Sequence, residues 1–550
     1  MSKSDGVSRR DFIRSAAFAG ALAAGGGLLA ACEAAGVTAA PTATPAAKPA
    51  KWDKEVDVIV VGSGTVSVAA LAAAEAGASV LIIEKAPVFG GHSSISGGGL
   101  WTPNNHLMRK EGLADSREEA LAYLDRVVGN RSDGVVREKF VDTCNVMIDF
   151  LISSGVGPWK FNGGGTVFAD YYPDSYPGHK KKGRVIQLEA GSGRELMGAI
   201  KKNVDTRKIE VMLETAAQRL VYEGDSNEGN GQVIGVVAQD FSKKSIFIKA
   251  RKGVVIGTGG FDYNRAMTEH YLRNPIYYSC AAPTNTGDGH LMCMAVGAQM
   301  RNMNEVWGLV AYDVKEDLTG VPDWSIDRGK PGCIIVNRHG QRIGNESAAY
   351  ENFARSFSAY DSGTIEWRNI PSYAIFDSGF AANYALPGSA GKKGTVPAFF
   401  KQADTLAGLA QQLGINAEGL ADQVARFNKN AANGTDPEWH RGENSFDRQT
   451  NGDSKRTDIK NPNLAPVATG PFYGTAIWPG ALGTNGGPRT NENGQVLNVW
   501  GKVIPRLYVT GNTMASVFGG QYPGGGATLG PGMTYAFIEG KHAAGLEPVK

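Results

Sequence analysis

Val56-Asp57-Val58-Ile59-Val60-Val61-Gly62-Ser63-Gly64-Thr65-Val66-Ser67 opens the stretch that decides the fold, and Ser79-Val80-Leu81-Ile82-Ile83-Glu84-Lys85 closes it. The opening run is rich in valine and isoleucine, as a strand buried on both faces requires. After the two glycines an alanine-rich run to Ala76 predicts a helix that stops at Gly77, and 79–83 predicts a second strand. In such a unit Gly62 makes the turn and Gly64 lets the backbone approach a pyrophosphate, while the helix N-terminus offers N–H donors and the positive end of its dipole. Glu84, at the end of the second strand, is placed to accept from ribose hydroxyls. Ser67 stands where the dinucleotide fingerprint has its third glycine, and it is small enough for the helix to pack on the strand. A glycine pair alone is weak evidence. Strand, turn, helix, strand and acid in register are much stronger.

The next segment separates FAD from NAD. Ala86-Pro87-Val88-Phe89-Gly90-Gly91-His92-Ser93-Ser94-Ile95-Ser96-Gly97-Gly98-Gly99 is a glycine/serine loop. A loop of this kind lines the pyrophosphate and flavin, which makes Gly91, His92, Ser93, Gly98 and Gly99 candidate contacts. Further on, GVVIGTGGF at 253–261 is another buried strand ending in glycines, Gly259 among them.

At 550 residues the chain exceeds one hydrophobic core, so two domains with appendages are expected. A composition of 42% hydrophobic and 20% charged residues is that of a soluble globular protein, and a net charge of +2 gives no reason to expect nucleic acid. The most basic run, 179–182, reads as a solvated loop. Cys32, Cys144, Cys280, Cys293 and Cys333 form no CxxC pair and the histidines show no ligand spacing, so metal centres, iron–sulfur clusters and c-type haem are not expected. Redox chemistry here needs an organic cofactor.

Ser8-Arg9-Arg10-Asp11-Phe12-Ile13-Arg14 precedes an apolar run reaching Ala31, the pattern of a twin-arginine export signal over 1–32. Leu29-Ala30-Ala31-Cys32 has the form of a lipobox, in which a lipidated Cys32 would tether the mature chain to the outer face of the membrane. The Ala/Thr/Pro-rich stretch over 33–52 predicts a disordered linker. The twin-arginine route carries folded proteins, which suits a protein that loads its cofactor before export.

From Glu55 onward the chain resembles the fumarate reductase/3-ketosteroid dehydrogenase flavoprotein superfamily. The resemblance is carried by EKAPVFGGHSSISGGGLW at 84–101, GTGGFD at 257–262, TGDGHLMCMAVGA at 286–298, GQRIGNESAAY at 340–350 and GNTMASVFGGQYPGGGATLGPGMTYAFIEGK at 511–541. It implies an α/β fold with a Rossmann-like FAD domain of the glutathione-reductase type. That domain would be discontinuous, 53–308 and 478–550, and interrupted by an α+β substrate or capping domain, 309–477, with a helical stretch at 405–428. It also implies that Lys85, Asp288, Gly511, Asn512, Thr528 and Leu529 join the FAD contacts, with His92 making a non-covalent one.

Two departures point within the superfamily. Fumarate reductases carry a carboxylate-clamping arginine four residues after their Asn-Glu motif; here Asn345-Glu346 leads to Tyr350. The C-terminal segment reads Tyr522-Pro523-Gly524-Gly525-Gly526, similar to 3-ketosteroid Δ1-dehydrogenases. The resemblance therefore implies desaturation beside the carbonyl of a small hydrophobic ketone. Tyr522 and the Gly526 N–H would stabilise the developing enolate oxygen, and Tyr350 would be a base of depressed pKa assisted by Tyr171 or Tyr172. The flavin would then exchange electrons with a separate quinone or carrier. The alternative is an exported reductase of an activated C=C bond in an enone.

Overall fold

The computed structural model describes residues 44–162, 167–226, 229–312 and 327–545. The export signal, Cys32 and most of the linker lie outside the described residues. The end of the linker is held in place, contrary to the expected disorder: the Ala46 N–H donates to the Leu220 carbonyl at 2.8 Å and the Tyr222 N–H to the Ala46 carbonyl at 3.1 Å. Ala46 is buried beside Val221, Ile234 and Val237. Apolar contact and two backbone hydrogen bonds outweigh the loop-like composition there.

The chain is a mixed α/β structure built around two sheets. In the larger, strands run in the order Gln495–Leu497, Val503–Val509, Ser245–Ile256, Lys54–Val61, Val80–Ile83, Glu210–Met212. Lys54–Val61 pairs in parallel with both Val80–Ile83 and Ser245–Ile256, and Val503–Val509 pairs in parallel with Ser245–Ile256. Ala216–Glu223 and Gln232–Gln239 extend the sheet as an antiparallel pair beside Ser245–Ile256. The predicted helix, Ser67–Glu75, packs against Lys54–Val61 and the C-terminal helix Leu529–Ala543. Its buried face is alanine-rich because a bulkier residue would hold the two helices apart.

The second sheet is organised on the long strand Phe472–Thr484. Val306–Tyr312, Ser372–Phe376 and Lys401–Ala403 pair antiparallel with it, and Cys333–Asn337 pairs with Ser372–Phe376. The boundary strands Val306–Tyr312 and Phe472–Thr484 cross the expected boundaries at 308 and 478 without a break, so the two halves meet along hydrogen-bonded strands. The helical stretch expected at 405–428 is two helices, Leu406–Leu413 and Ala417–Ala432, parted at Gly414, whose left-handed backbone caps the first. Among the described residues no helix is long and apolar enough to cross a membrane, and no group of three or more His, Cys, Asp or Glu side chains is placed to hold a metal.

Candidate active site

The larger sheet carries a cleft of about 870 Å³ at the C-terminal ends of its parallel strands. It is lined by Gly62, Gly64, Glu84, Lys85, Gly91, His92, Ser93, Gly259, Asp288, Gly511, Asn512, Thr528 and Leu529, all expected from sequence. Gly62 has φ +102°, and a Cβ there would fall 2.4 Å from the Gly257 carbonyl oxygen, so the turn admits only glycine. The Lys85 ammonium donates to Asp288 at 2.8 Å and to the Thr286 hydroxyl at 2.7 Å, tying the loop after the second strand to the start of the helix Asp288–Ala295. The start of Leu529–Ala543 faces the cleft through Thr528 and Leu529, where a helix dipole favours negative charge.

Three expected contacts are corrected. The Ser67 hydroxyl donates to the Ser63 and Gly64 carbonyls at 2.6 and 2.8 Å; it satisfies the turn and does not line the cleft. Gly98 is pressed against the backbone at Ser192 and Gly193 and Gly99 against Val185 and Gly526, and neither lines the cleft. Glu84 does line the cleft, but its carboxylate already accepts from the Ser63 hydroxyl at 2.7 Å and the Ala86 N–H at 2.7 Å. Burial raises its pKa. The sequence reading missed Ser63, Thr65, Thr215, Ala217, Thr258 and Asn285. Ser63 and Thr65 lie inside the glycine turn and were within reach; Thr215 and Ala217 lie at the start of the strand Ala216–Glu223, which carries no motif. The side-chain Nδ2 of Asn285 is buried without a partner, a donor waiting for an acceptor on a ligand. Glycine turn, helix start and orphaned amide together fit a flavin dinucleotide.

A smaller cavity of about 300 Å³ continues the cleft past Gly511, Asn512 and Thr528 to Trp307, Asn485 and Ser516. The Trp307 indole N–H donates to the Asn512 side-chain oxygen at 3.0 Å, and its ring meets Tyr522 edge-on at 5.2 Å. Beyond Trp307 the three expected tyrosines come together. Tyr171 stacks on Tyr522 at 5.5 Å, Tyr350 meets Tyr522 at 5.5 Å and Tyr171 at 5.7 Å, and Phe446 closes on Tyr171 at 4.5 Å. Phe446 carried no signal in the sequence.

Local structure explains how each tyrosine is held. The Tyr171 N–H donates to the Pro523 carbonyl at 3.0 Å, fastening it to the loop that bears Tyr522. The Asn-Glu motif works one step back: Glu346 is buried and paired with Arg342 at 2.6 Å and Arg441 at 3.1 Å, which fixes the turn into the short helix starting at Tyr350. Gly526 has φ +82°, and a Cβ there would lie 2.6 Å from the Gly99 carbonyl group, so only glycine brings this backbone so close.

Hydroxyl geometry separates Tyr171 from Tyr172. The Tyr171 hydroxyl donates to the Tyr350 hydroxyl at 3.5 Å, whereas the Tyr172 hydroxyl donates to Gln521 at 2.5 Å. Burial raises the pKa of Tyr522, and the nearby Tyr350, Thr528 and Gly526 N–H act on its oxygen in the opposite sense. The Tyr522 hydroxyl and the Gly526 N–H therefore share one small space. Burial holds Tyr350 well above the ordinary tyrosine range, with the neighbouring Tyr171 and Tyr522 adding to the rise, and burial raises Tyr171 likewise. The depressed pKa expected of a tyrosine base is thus corrected. These phenols are desolvated, and no described cation is among the groups acting on them.

A family model described as an FAD binding domain matches residues 57–529. The 4-oxocyclohexanecarboxylate 2-dehydrogenase of Sinomonas cyclohexanicum is 33% identical over 547 residues, covering 89% of this chain and 93% of that protein. The 3-oxosteroid 1-dehydrogenase of Mycobacterium tuberculosis is 33% identical over 573 residues, covering 89% and 98%. The crystal structure of 3-ketosteroid delta1-dehydrogenase from Sterolibacterium denitrificans superposes with a TM-score of 0.81 at 29% identity, covering 89% of this chain and 99% of that one. The chain belongs to the FAD binding domain family and is an FAD-dependent oxidoreductase of the 3-ketosteroid Δ1-dehydrogenase and cyclic oxo-acid dehydrogenase type, acting on CH–CH bonds.

Proposed function

We propose that the enzyme introduces a C=C bond next to the carbonyl of a 3-ketosteroid or similar cyclic ketone. The observation that carries this reading is the convergence of the Tyr522 hydroxyl, the Gly526 N–H and Tyr350 in one aromatic space joined to the flavin cleft. Removing a hydrogen alpha to a carbonyl as a proton requires donors where negative charge develops on oxygen. A neutral phenol and a backbone N–H are such donors, and burial keeps Tyr522 neutral and able to donate. Tyr350 takes the alpha proton and Tyr171 orients its hydroxyl. Bound FAD supplies the hydride acceptor for the neighbouring carbon, held by the Gly62–Gly64 turn, Lys85–Asp288 and the start of Leu529–Ala543. Trp307, Phe446 and the tyrosine rings form an apolar wall suited to a neutral ring and exclude water from the developing enolate. No arginine stands at position 350 to clamp a dicarboxylate, which separates this site from fumarate reduction.

The larger sheet would act as the discontinuous FAD domain, with the sheet on Phe472–Thr484 capping it. We further infer export by the twin-arginine route, lipid anchoring at Cys32, and discharge of the flavin to a separate quinone or carrier. These rest on the 1–32 pattern and on the absence of any haem or cluster motif in the sequence. The test is anaerobic mixing of the FAD-loaded enzyme with 4-oxocyclohexanecarboxylate and with saturated 3-ketosteroids. Flavin bleaching with formation of a conjugated enone supports the reading. Failure of every ketone to bleach it, with reoxidation of reduced enzyme by enones, would point to the reductase.

A further inference from the structure

A desolvated tyrosine base poses a problem that the chain answers nearby. Tyr350 cannot hold a negative charge cheaply in its desolvated site, so the substrate proton needs somewhere to go. The next residue, Glu351, is buried with 2% of its side chain exposed. It ion-pairs with Arg355 at 2.6 Å, whereas its Oε2 has no hydrogen-bond partner. Glu351 also lines a separate cleft of about 710 Å³, together with Arg273, Asn304, Glu305 and Arg355. Glu305 pairs with Arg131 at 2.7 Å, Arg273 at 2.5 Å and Arg355 at 3.3 Å, so Arg273, Glu305, Arg355 and Glu351 form a run of alternating charge along this cleft. Arg355 is fixed further by donating to the Gly520 carbonyl, two residues before Tyr522.

We propose that Glu351 receives the substrate proton from the active-site tyrosines and passes it to water in the Arg273–Arg355 cleft. This deepens the functional reading above and rests on it. The C–H bond alpha to the carbonyl breaks, an O–H bond forms on Tyr350, and the proton that Tyr350 gives up moves, by way of a bridging water, to the partnerless oxygen of Glu351. Arginine cannot relay, because it does not give up a proton; Arg355 instead occupies one carboxylate oxygen and leaves the other to receive. Glu351 follows Tyr350 in the same short helix, close enough to the tyrosines for its charge to act on Tyr522 and Tyr172. Facing Glu351 are Arg355 first, then Glu305 and Arg131, with Tyr172 on the active-site side. Burial raises its pKa to about 7 against the opposing pull of Arg355, so the carboxyl can take and release a proton near neutral pH. Glu351 touches neither substrate nor flavin and acts through the tyrosines.

The test follows exchange of the alpha hydrogens of 4-androstene-3,17-dione and 4-oxocyclohexanecarboxylate with solvent deuterium, by mass spectrometry, on the FAD-loaded enzyme. Exchange needs the base and its proton outlet, not hydride transfer. In the wild type the rate should rise with pH through about 7 and then level off, because only the ionised carboxylate accepts. Glu351→Gln, with full flavin content, should slow exchange at neutral pH by about 10- to 100-fold, within the range of general acid–base effects, and should lose the inflection near 7. Its rate should climb into the alkaline range instead, as Tyr350 alone would. Wild-type exchange in Glu351→Gln, or retention of the inflection, overturns the proposal. If that variant does not load flavin, the wild-type profile decides: an exchange rate flat from mildly acidic to mildly alkaline pH also overturns it. Should the wild type neither exchange nor reduce its flavin with either ketone, the ketone reading itself falls and takes the relay with it.

Discussion

Tyr522→Phe isolates one hydroxyl. The ring that stacks on Tyr171 at 5.5 Å and meets Trp307 at 5.2 Å is kept, so the aromatic wall stays and only the donor beside Gly526 is lost. The Gly526 N–H remains to hold the enolate oxygen, which puts the loss at one oxyanion donor of two: about 10²–10³-fold in turnover. The ground-state carbonyl carries less charge than the enolate, so the apparent KM should move by no more than a few-fold while kcat takes the loss. Folding should change little. The ring contacts with Tyr171 and Trp307 stay, and losing one buried hydroxyl is worth roughly 1 kcal/mol. The assay is stopped-flow reduction of the bound flavin at saturating ketone, with flavin content checked from the absorption spectrum. A fully flavinated variant that reduces within about threefold of wild type, far below the donor effect expected, would remove Tyr522 from the mechanism.

Other predictions test the parts around it. Tyr350→Phe should lower turnover by about 10²–10⁴-fold and abolish alpha-hydrogen exchange while leaving ketone binding intact, measured by flavin spectral perturbation. Gly526→Ala places a Cβ 2.6 Å from the Gly99 carbonyl group at φ +82°, so the loop must move; a lower Tm and more than a tenfold loss of turnover are expected, by thermal melting and steady-state assay. Gly62→Ala puts a Cβ 2.4 Å from the Gly257 oxygen and should give protein that folds but releases FAD, measured as the flavin-to-protein ratio.

The cofactor half was the more legible because its signals are local. The turn at Gly62 and Gly64 and the strand ending at Glu84 occupy one short stretch, and the structure puts Glu84 and Lys85 on the cleft as that stretch implies. The misses come from three-dimensional crowding. Ser67 stands at a glycine position, yet its hydroxyl is used up by the turn. Gly98 and Gly99 sit in the right loop but outside the cleft lining, close against neighbouring backbone and side chain. The tyrosine trio was reachable only by resemblance, since Tyr171 and Tyr350 lie 179 residues apart and no periodicity joins them. Their ionisation was misjudged because desolvation is a property of the assembled core. Glu351 lay beside Tyr350 in sequence, but its orphaned oxygen and outer cleft exist only in the fold.

The most direct test of the central claim is anaerobic titration of the oxidised, FAD-loaded enzyme with a saturated 3-ketosteroid and with 4-oxocyclohexanecarboxylate, watching the yellow flavin band and the products together. The account predicts that at least one of them bleaches the flavin stoichiometrically and is recovered as the enone unsaturated next to its carbonyl. An oxidised flavin unchanged by every saturated ketone, in enzyme whose reduced form is promptly reoxidised by enones, would contradict it.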